Sequence, residues 1–400
     1  MTSQEPFVIA GGGVGGLTTA LALAQAGQRS LLLERAPAFR EVGAGLQLSP
    51  NASRILDRLK VLDALKGDAV APEYVRLRRG SDGADLTRIP LADSESRWGA
   101  PYLAVHRADL LTALVDRARQ EPLIEICNDS TLTGFIQDEQ GVAVTYRFDG
   151  EFRRAAGAAL IGADGLRSMV RGRLFGGAAD KPAYTGHTAW RAILPAEGLP
   201  EFARRRAANL WFGDRAHLVH YPLRGGAVVN VVALVEDAWR GEGDAASADF
   251  WDIEGDRKFL LNRFKSWCQD ARDLIGAGET WMRWPLFDRP AIESWSRERV
   301  ALLGDAAHPM LPYLAQGAAQ AIEDAAALGA AVASFPENPA IALASYSVLR
   351  AARVRRIQEA ARAQGEIYHL SGFKAVARDV VLRVAGPRRL RARQDWIYAA

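Results

Sequence analysis

Four groups of residues in this 400-residue chain have the types and spacing that chemistry needs. The first is Gly11-x-Gly13-x-x-Gly16, set between the apolar run Phe7-Val8-Ile9-Ala10 and a small-residue stretch reaching Ala26. Gly11 permits a tight turn, Gly13 lets a pyrophosphate approach the backbone, and Gly16 lets helix and strand pack closely. Val14 then opens a helix whose free N–H groups and partial positive charge suit phosphate. Glu34, followed by Arg35, lies near the ~20-residue spacing of the carboxylate that accepts adenosine ribose hydroxyls. This pattern asks for a dinucleotide, without separating FAD from NAD.

The second and third groups make that separation. Leu160-Ile161-Gly162-Ala163-Asp164-Gly165 and Leu302-Leu303-Gly304-Asp305-Ala306 each place a carboxylate just past an apolar run. Ligands bind at the carboxyl ends of parallel strands, where a short carboxylate accepts ribityl hydroxyls. A nicotinamide dehydrogenase has no use for two such sites so far apart. The segment Ala315-Gln316-Gly317-Ala318-Ala319 begins a helix of small residues, and its amino terminus favours the negative charge of a reduced flavin. The fourth group is His217, Tyr221 and Tyr313, which carry acid–base groups. In a strand, His217 shares a face with Val219 and Tyr221 while His220 points the other way. His217 and Tyr221 then lie roughly 13 Å apart, so they line one pocket wall from two positions rather than bond directly. Taken alone, His217 also reads as a structural strand histidine.

These residues need a particular scaffold. Strand, glycine turn, helix and a second strand at Ser30–Leu33 form a βαβ unit and imply a parallel sheet. The runs Ala155 to Asp164 and Val300 to Asp305 read as further buried parallel strands. Between them, alternating segments such as His217 to Tyr221 and Val228 to Val235 read as a more open sheet. Beyond Leu314 the chain is alanine-rich with helical periodicity. The expected architecture is α/β: a Rossmann-like FAD-binding domain (1–75, 100–180 and 287–400, with carboxy-terminal helices) and an inserted mixed-sheet substrate domain (76–99 and 181–286).

Composition narrows the function classes. The net charge of +3, with arginines and carboxylates interleaved, gives no basis for a nucleic-acid partner. Cys127 and Cys268 stand far apart without CxxC spacing, which excludes a cysteine metal cluster or dithiol and fits a reducing compartment. No metal site is expected. With no long apolar run and no signal-like amino terminus, no membrane span is expected either, and a cytoplasmic protein is.

With these motifs in this order, the chain resembles the class A, single-component flavoprotein monooxygenases of the para-hydroxybenzoate hydroxylase family. It is most similar to their 3-hydroxybenzoate 6-hydroxylase and salicylate hydroxylase branch. Further supporting stretches are Glu41 to Gln47, His106-Arg107-Ala108-Asp109-Leu110, His217 to Gly226, and Gly304 to Asp324. The resemblance implies non-covalent FAD, NADH or NADPH as reductant, and O2 as co-substrate. The expected reaction is hydroxylation of a small phenolic or hydroxylated heteroaromatic acid through a flavin C4a-hydroperoxide. Glu34 would bind the AMP ribose, Arg107 would contact FAD, and Asp305 would hold the ribityl chain. Asp164 would lie near the pyrophosphate and the passing nicotinamide, and Gly317 and Ala318 would face the flavin pyrimidine edge. His217 corresponds to a pocket histidine of that branch, a base that makes a ring hydroxyl more nucleophilic. Tyr313 would run past the isoalloxazine. Pro312 replaces a glutamine of the hydroxybenzoate enzyme, so identical substrate and regiochemistry are not implied. His308 reads as structural, and Asp116, Glu323 and Asp324 as solvated or capping groups. A homodimer is a family-level expectation.

Three alternatives differ in kind. A flavin-dependent halogenase would carry Trp-x-Trp-x-Ile-Pro, which Trp281-Met282-Arg283-Trp284-Pro285 does not match. A plain NAD-dependent dehydrogenase conflicts with the paired Gly-Asp sites. A non-catalytic flavin-binding protein, or a non-aromatic monooxygenase on the same scaffold, would show no phenol-stimulated NAD(P)H consumption.

Overall fold

A computed structural model describes residues 5–39, 44–177, 180–238 and 253–399. Of the stretch Glu41 to Gln47, the residues Glu41, Val42 and Gly43 lie outside the described residues.

The strand Phe7–Ala10 sits in the middle of a six-stranded sheet. It pairs in parallel with Ser30–Leu33 on one side and Ala159–Gly162 on the other. Ile124–Cys127 and Val300–Leu302 extend the sheet in parallel, and the short antiparallel strand Ser296–Arg297 forms one edge. The two central strands are buried at every residue, as strands covered on both faces must be. The helix Val14–Gln25 packs on the helix Gly317–Ser334, and Gly329 permits that approach. A Cβ there would lie 2.9 Å from the Ala22 side chain.

One expectation is corrected here. Ala155 to Asp164 is not a single strand. Ala155, Ala156 and Gly157 end the strand Glu151–Gly157 of a three-stranded antiparallel meander, and the parallel strand begins at Ala159. The two strands meet at Gly157, where a Cβ would lie 2.9 Å from the Pro6 carbonyl oxygen. A run of small apolar residues hides such a turn from periodicity.

A second sheet has eight strands, in the order Ile253–Glu254, Met282–Asp288, Ala183–Pro195, Val228–Glu236, Ala216–Leu223, Ala207–Gly213, Tyr74–Arg79 and Asp85–Pro90. Its alternation is strict where it matters. Trp190, Trp211, Leu218 and Trp281 belong to one buried cluster with Leu260 and Leu274, whereas Leu210 and Phe212 face the other side. Over that other side lie the carboxy-terminal helices Pro339–Tyr368 and Gly372–Ala392, and a final turn Asp395–Tyr398. The space they enclose with the sheet is a cavity.

Candidate functional site

At the carboxyl end of the first strand the three fingerprint glycines do different things. Gly11 has φ +108°, and a Cβ on it would stand 2.4 Å from the Ala163 carbonyl oxygen. Gly16 packs so closely that a Cβ would reach within 1.9 Å of the Gly11 carbonyl oxygen. Gly13 is the opposite: nothing lies within 4 Å of its Cβ position, so the backbone face at the start of the Val14 helix is open. Glu34 follows its strand and accepts N–H bonds from Gly12 (2.7 Å) and Ala36 (2.8 Å). Its carboxylate is thereby pinned beside the turn, and Arg35 is exposed next to it.

The two Gly-Asp segments lie at the ends of neighbouring strands, as their pairing to the central sheet requires. Asp164 Oδ2 accepts the N–H groups of Met169 and Val170, capping the helix Met169–Phe175. Its Oδ1 is buried with no partner among the described residues, and burial raises its carboxyl above the ordinary range. An orphaned carboxylate oxygen calls for a hydroxyl or amide donor.

Asp305 lies in the turn Gly304–Ala306. Its side chain is open to solvent, yet protein surrounds it closely enough that desolvation raises its carboxyl; this is the situation of a group in a deep groove. The positive charge of Arg107, first residue of the helix Arg107–Arg119, opposes that rise. The structure thus brings Arg107 and Asp305 together from nearly two hundred residues apart. Gly304 holds φ +60°, which a side chain would strain. Gly317 and Ala318 begin the Gly317–Ser334 helix, and the Gly317 Cβ position has no neighbour within 4 Å. Open backbone at Gly13 and Gly317, together with an unmatched Asp164 oxygen, fits a dinucleotide with a hydroxylated linker.

Behind this groove, Glu323 and Asp324 are buried, not solvated, which corrects the sequence-based reading. Asp324 accepts from Gly304 N (3.1 Å), bonds His308 Nε2 (2.5 Å) and pairs with Arg350 Nε (2.8 Å). Glu323 pairs with Arg350 and Arg353 and accepts from Asn51 (2.6 Å). Despite burial, these charges hold both carboxyls below their ordinary values. The arginines come from the next helix, so local sequence gives no sign of the pairing. Asp116 is exposed as expected, and His308 is structural in that it ties the Asp305 turn to Asp324.

The cavity between the eight-stranded sheet and the terminal helices measures about 760 Å³. Most of its wall is apolar, with polar side chains that include Gln47, Tyr102, His217 and Tyr313, and with Lys374 and Arg393 among the charged ones. His217, on the strand Ala216–Leu223, pairs across the sheet with Phe212 and is buried. The Tyr313 and Tyr368 rings lie 5.7 and 5.2 Å from its ring. Its Nδ1 is 2.8 Å from Nε2 of His369, and His369 Nδ1 is 3.1 Å from Nε2 of His187. Burial, then the neighbouring His369 and His187, push His217 well below the usual histidine range. Burial carries His369 down to about 4. All three rings are therefore neutral near pH 7.

His220 points to the opposite face, as alternation requires. It accepts from Trp211 Nε1 (3.1 Å), and burial lowers it to about 3. Tyr221 does not line the cavity. It is buried behind Gln47, packed so tightly on Gly45 that a Cβ there would meet its hydroxyl at 2.7 Å. Tyr313 is in the cavity wall, in the turn Pro312–Leu314, with Gly365 making room for its ring. The structure thus unites His217 with Tyr313 and sets Tyr221 apart. Sequence reasoning missed His187, His369, Gln47 and Tyr102. His369 ends a long helix and His187 lies on another strand, and no local pattern marks either.

Among the described residues no helix is long and apolar enough to cross a membrane. Residues 5–361 match the family described as FAD binding domain. The chain is 37% identical over 395 residues to 3-hydroxybenzoate 6-hydroxylase of Polaromonas naphthalenivorans, spanning 98% of this chain and 95% of that one. It is 36% identical over 371 residues to a 3-amino-4-hydroxybenzoate 2-monooxygenase of Streptomyces platensis, spanning 92% of this chain and 90% of the relative. The solved structure of Klebsiella pneumoniae HpxO complexed with FAD and uric acid covers 100% of this chain and 98% of its own at TM-score 0.83 and 25% identity. A salicylate hydroxylase substrate complex, 23% identical, shares the fold at TM-score 0.82, covering 100% of this chain and 96% of its own. The glycine turn, the paired Gly-Asp strand ends and these relatives agree: the chain belongs to the FAD-dependent aromatic hydroxylases, single-component monooxygenases that use NAD(P)H and molecular oxygen.

Proposed function

We propose that this protein hydroxylates a small phenolic acid of the 3-hydroxybenzoate or salicylate type in the cavity that contains His217 and Tyr313. The observation that carries this reading is the sharing of one largely apolar cavity by a neutral histidine and a tyrosine. An apolar wall takes the aromatic ring and excludes water, and a few polar points orient it. Lys374 and Arg393, at the helical side of the same cavity, give a substrate carboxylate a positive counterpart.

Gly11, Gly13, Val14 and Gly16 hold the pyrophosphate in this reading, with Glu34 and Arg35 at the AMP end. Arg107, Asp164, Gly304 and Asp305 serve the linker, and Gly317 and Ala318 the flavin edge. FAD, once reduced, supplies the activated oxygen. The chain's own part is to place the ring, accept the phenolic proton at His217 and keep water out. His217 Nδ1 is engaged by His369, so Nε2 is the ring nitrogen left to receive that proton. Its depressed pKa makes it a weak base, suited to sharing the proton with a phenol rather than holding it. Tyr313 orients the ring. Tyr221 acts indirectly, by fixing Gln47.

The same reading assigns FAD to 1–75, 100–180 and 287–400, and substrate to 76–99 and 181–286. A homodimer in the cytoplasm completes it; the two unpaired cysteines fit a reducing compartment. The test is NADH and NADPH oxidation by the FAD-loaded protein against hydroxybenzoates and hydroxypyridines, with peroxide and product measured together. Stimulated oxidation with stoichiometric hydroxylated product is expected. Stimulation that yields only peroxide identifies an effector rather than the substrate, and no stimulation across the panel overturns the reading.

A further inference from the structure

His217 stands at one edge of its cavity. The strand beyond it, Val228–Glu236, adds nothing to the cavity wall, whereas the three strands on its other side all do. Neighbouring strands lie about 4.8 Å apart, so the floor from Ala216–Leu223 to the edge strand Asp85–Pro90 is roughly 14 Å wide. Its side chains fall in register. Val219, Leu210 and Leu77 form one row, and Ala208, Val75 and Ile89 lie in the next. All six are apolar and all six line the cavity.

The roof has the same extent. Phe373, Ala377 and Val381 line the cavity at helical spacing along Gly372–Ala392, and at about 1.5 Å per residue they span roughly 12 Å. That helix packs on the edge strand Asp85–Pro90, so floor and roof run to the same side of the sheet. Arg378 and Arg391 also line the cavity, but they are bonded to Asp379 and Asp93, and their charges are answered within the protein.

A cavity of about 760 Å³ suits a drug-sized ligand, for which pockets measure roughly 300–1,000 Å³. A single hydroxybenzoate ring held at His217 by its hydroxyl stops short of the edge strand and leaves Leu77 and Ile89 uncovered. Apolar wall of this extent is best covered by apolar ligand surface.

We infer that the preferred substrate is a phenolic acid whose ring carries an apolar arm, and that this arm lies over Leu210, Leu77 and Ile89 toward the edge strand. This rests on the reading of the cavity made above and narrows the kind of phenolic acid it takes. The arm touches no reacting atom. It adds binding that is equal in the ground state and the transition state, so its effect falls on KM and kcat/KM rather than on kcat.

The experiment uses the FAD-loaded enzyme with NADH or NADPH and oxygen. The probes are 3-hydroxybenzoate and salicylate, unsubstituted or carrying a methyl, ethyl, propyl or butyl group at each free ring position in turn. In at least one positional series kcat/KM should rise about fourfold per carbon, the transfer value of one buried CH2, with the change carried by KM. Ile89→Trp fills the far end of the floor, and in that variant the ratio of kcat/KM between the butyl and unsubstituted acids should fall toward one. A ratio that survives Ile89→Trp undiminished places the arm elsewhere and overturns the inference. If the unsubstituted acids are hydroxylated and every substituted series is flat or falls, the inference is overturned while the reading of the cavity stands. If no acid, substituted or not, stimulates NAD(P)H oxidation, that reading fails and the inference with it. The wild-type series needs no variant, so poor folding of Ile89→Trp leaves the test intact.

Discussion

Two buried polar regions flank the site, and they solve the burial problem in opposite ways. Behind the flavin groove, Glu323, Asp324, Arg350 and Arg353 stay ionised, each charge answered by another at hydrogen-bond distance. Beside the cavity, His187, His217 and His369 are packed together, with no counter-ion in direct contact among the described residues, and are neutral instead. In the first region, any change of charge leaves an uncompensated ion in a dry place, and the region's task is to fix Gly304 and the turn bearing Asp305. In the second, burial and the neighbouring rings disfavour the charged form, so the rings stay neutral near pH 7. The helix Pro339–Tyr368 serves both regions: Arg350 and Arg353 answer the buried carboxylates, and His369 at its end joins the neutral rings.

Perturbing both regions sharpens this contrast. Arg350→Met strands the Asp324 and Glu323 charges, and a loss of roughly 3–5 kcal/mol is expected by chemical denaturation. FAD should be lost with it, because the Gly304 turn loosens. His187→Gln, by contrast, removes one hydrogen bond between neutral groups and should cost about 0.5–1.5 kcal/mol. Equal losses in the two variants would erase the distinction.

Acid separates the regions by pH. Burial lowers His369 to about 4, so between about 6.5 and about 4 the unfolded chain binds more protons there than the folded one. Stability therefore falls as pH drops through that window. Glu323 and Asp324 are also lowered, but as carboxylates their contribution is complete above about 4.3 and is lost only as pH falls below it. A denaturation series across pH should show two stages of loss, and a His369→Gln variant should show a smaller upper one, because His217, His220 and His187 are lowered as well. A single stage in wild type contradicts the contrast.

The smallest effect is expected from a pair of tyrosines. Tyr313→Phe removes a hydroxyl from a residue of the cavity wall and should lower the ratio of product to peroxide. Tyr221→Phe removes one from behind Gln47 and should cost stability of about 0.5–1.5 kcal/mol with little change in that ratio. Coupling assays on the two variants distinguish them.

The legible parts of the sequence were those with local geometry. The Gly11-to-Gly16 turn, the Glu34 strand end and both Gly-Asp segments lie where backbone conformation demands a particular residue type, so they announce themselves within a few positions. Strand alternation likewise placed His217 and His220 on opposite faces. What escaped was long-range. Glu323 and Asp324 read as ordinary helix carboxylates because Arg350 and Arg353 reach them only after the chain reverses. His369 and His187 join His217 across 152 and 182 residues respectively, one to the next. Tyr221 shares a face with His217, yet it is packed out of the cavity by its fit on Gly45, a contact across 176 residues that alternation cannot register. The break at Gly157 went unseen because alanine and glycine give no period.

The most direct test of the account compares wild type with His217→Asn. Both FAD-loaded proteins are supplied with NADH or NADPH, oxygen and 3-hydroxybenzoate or salicylate, and product and peroxide are counted per reductant consumed. Wild type should convert one of the two ligands nearly stoichiometrically. His217→Asn should still bind FAD and be reduced, yet form product about 10²–10⁴-fold more slowly, with peroxide in its place. Product formation by His217→Asn at the wild-type rate would mean that the ring reacts elsewhere, and that the histidine is there to support the sheet.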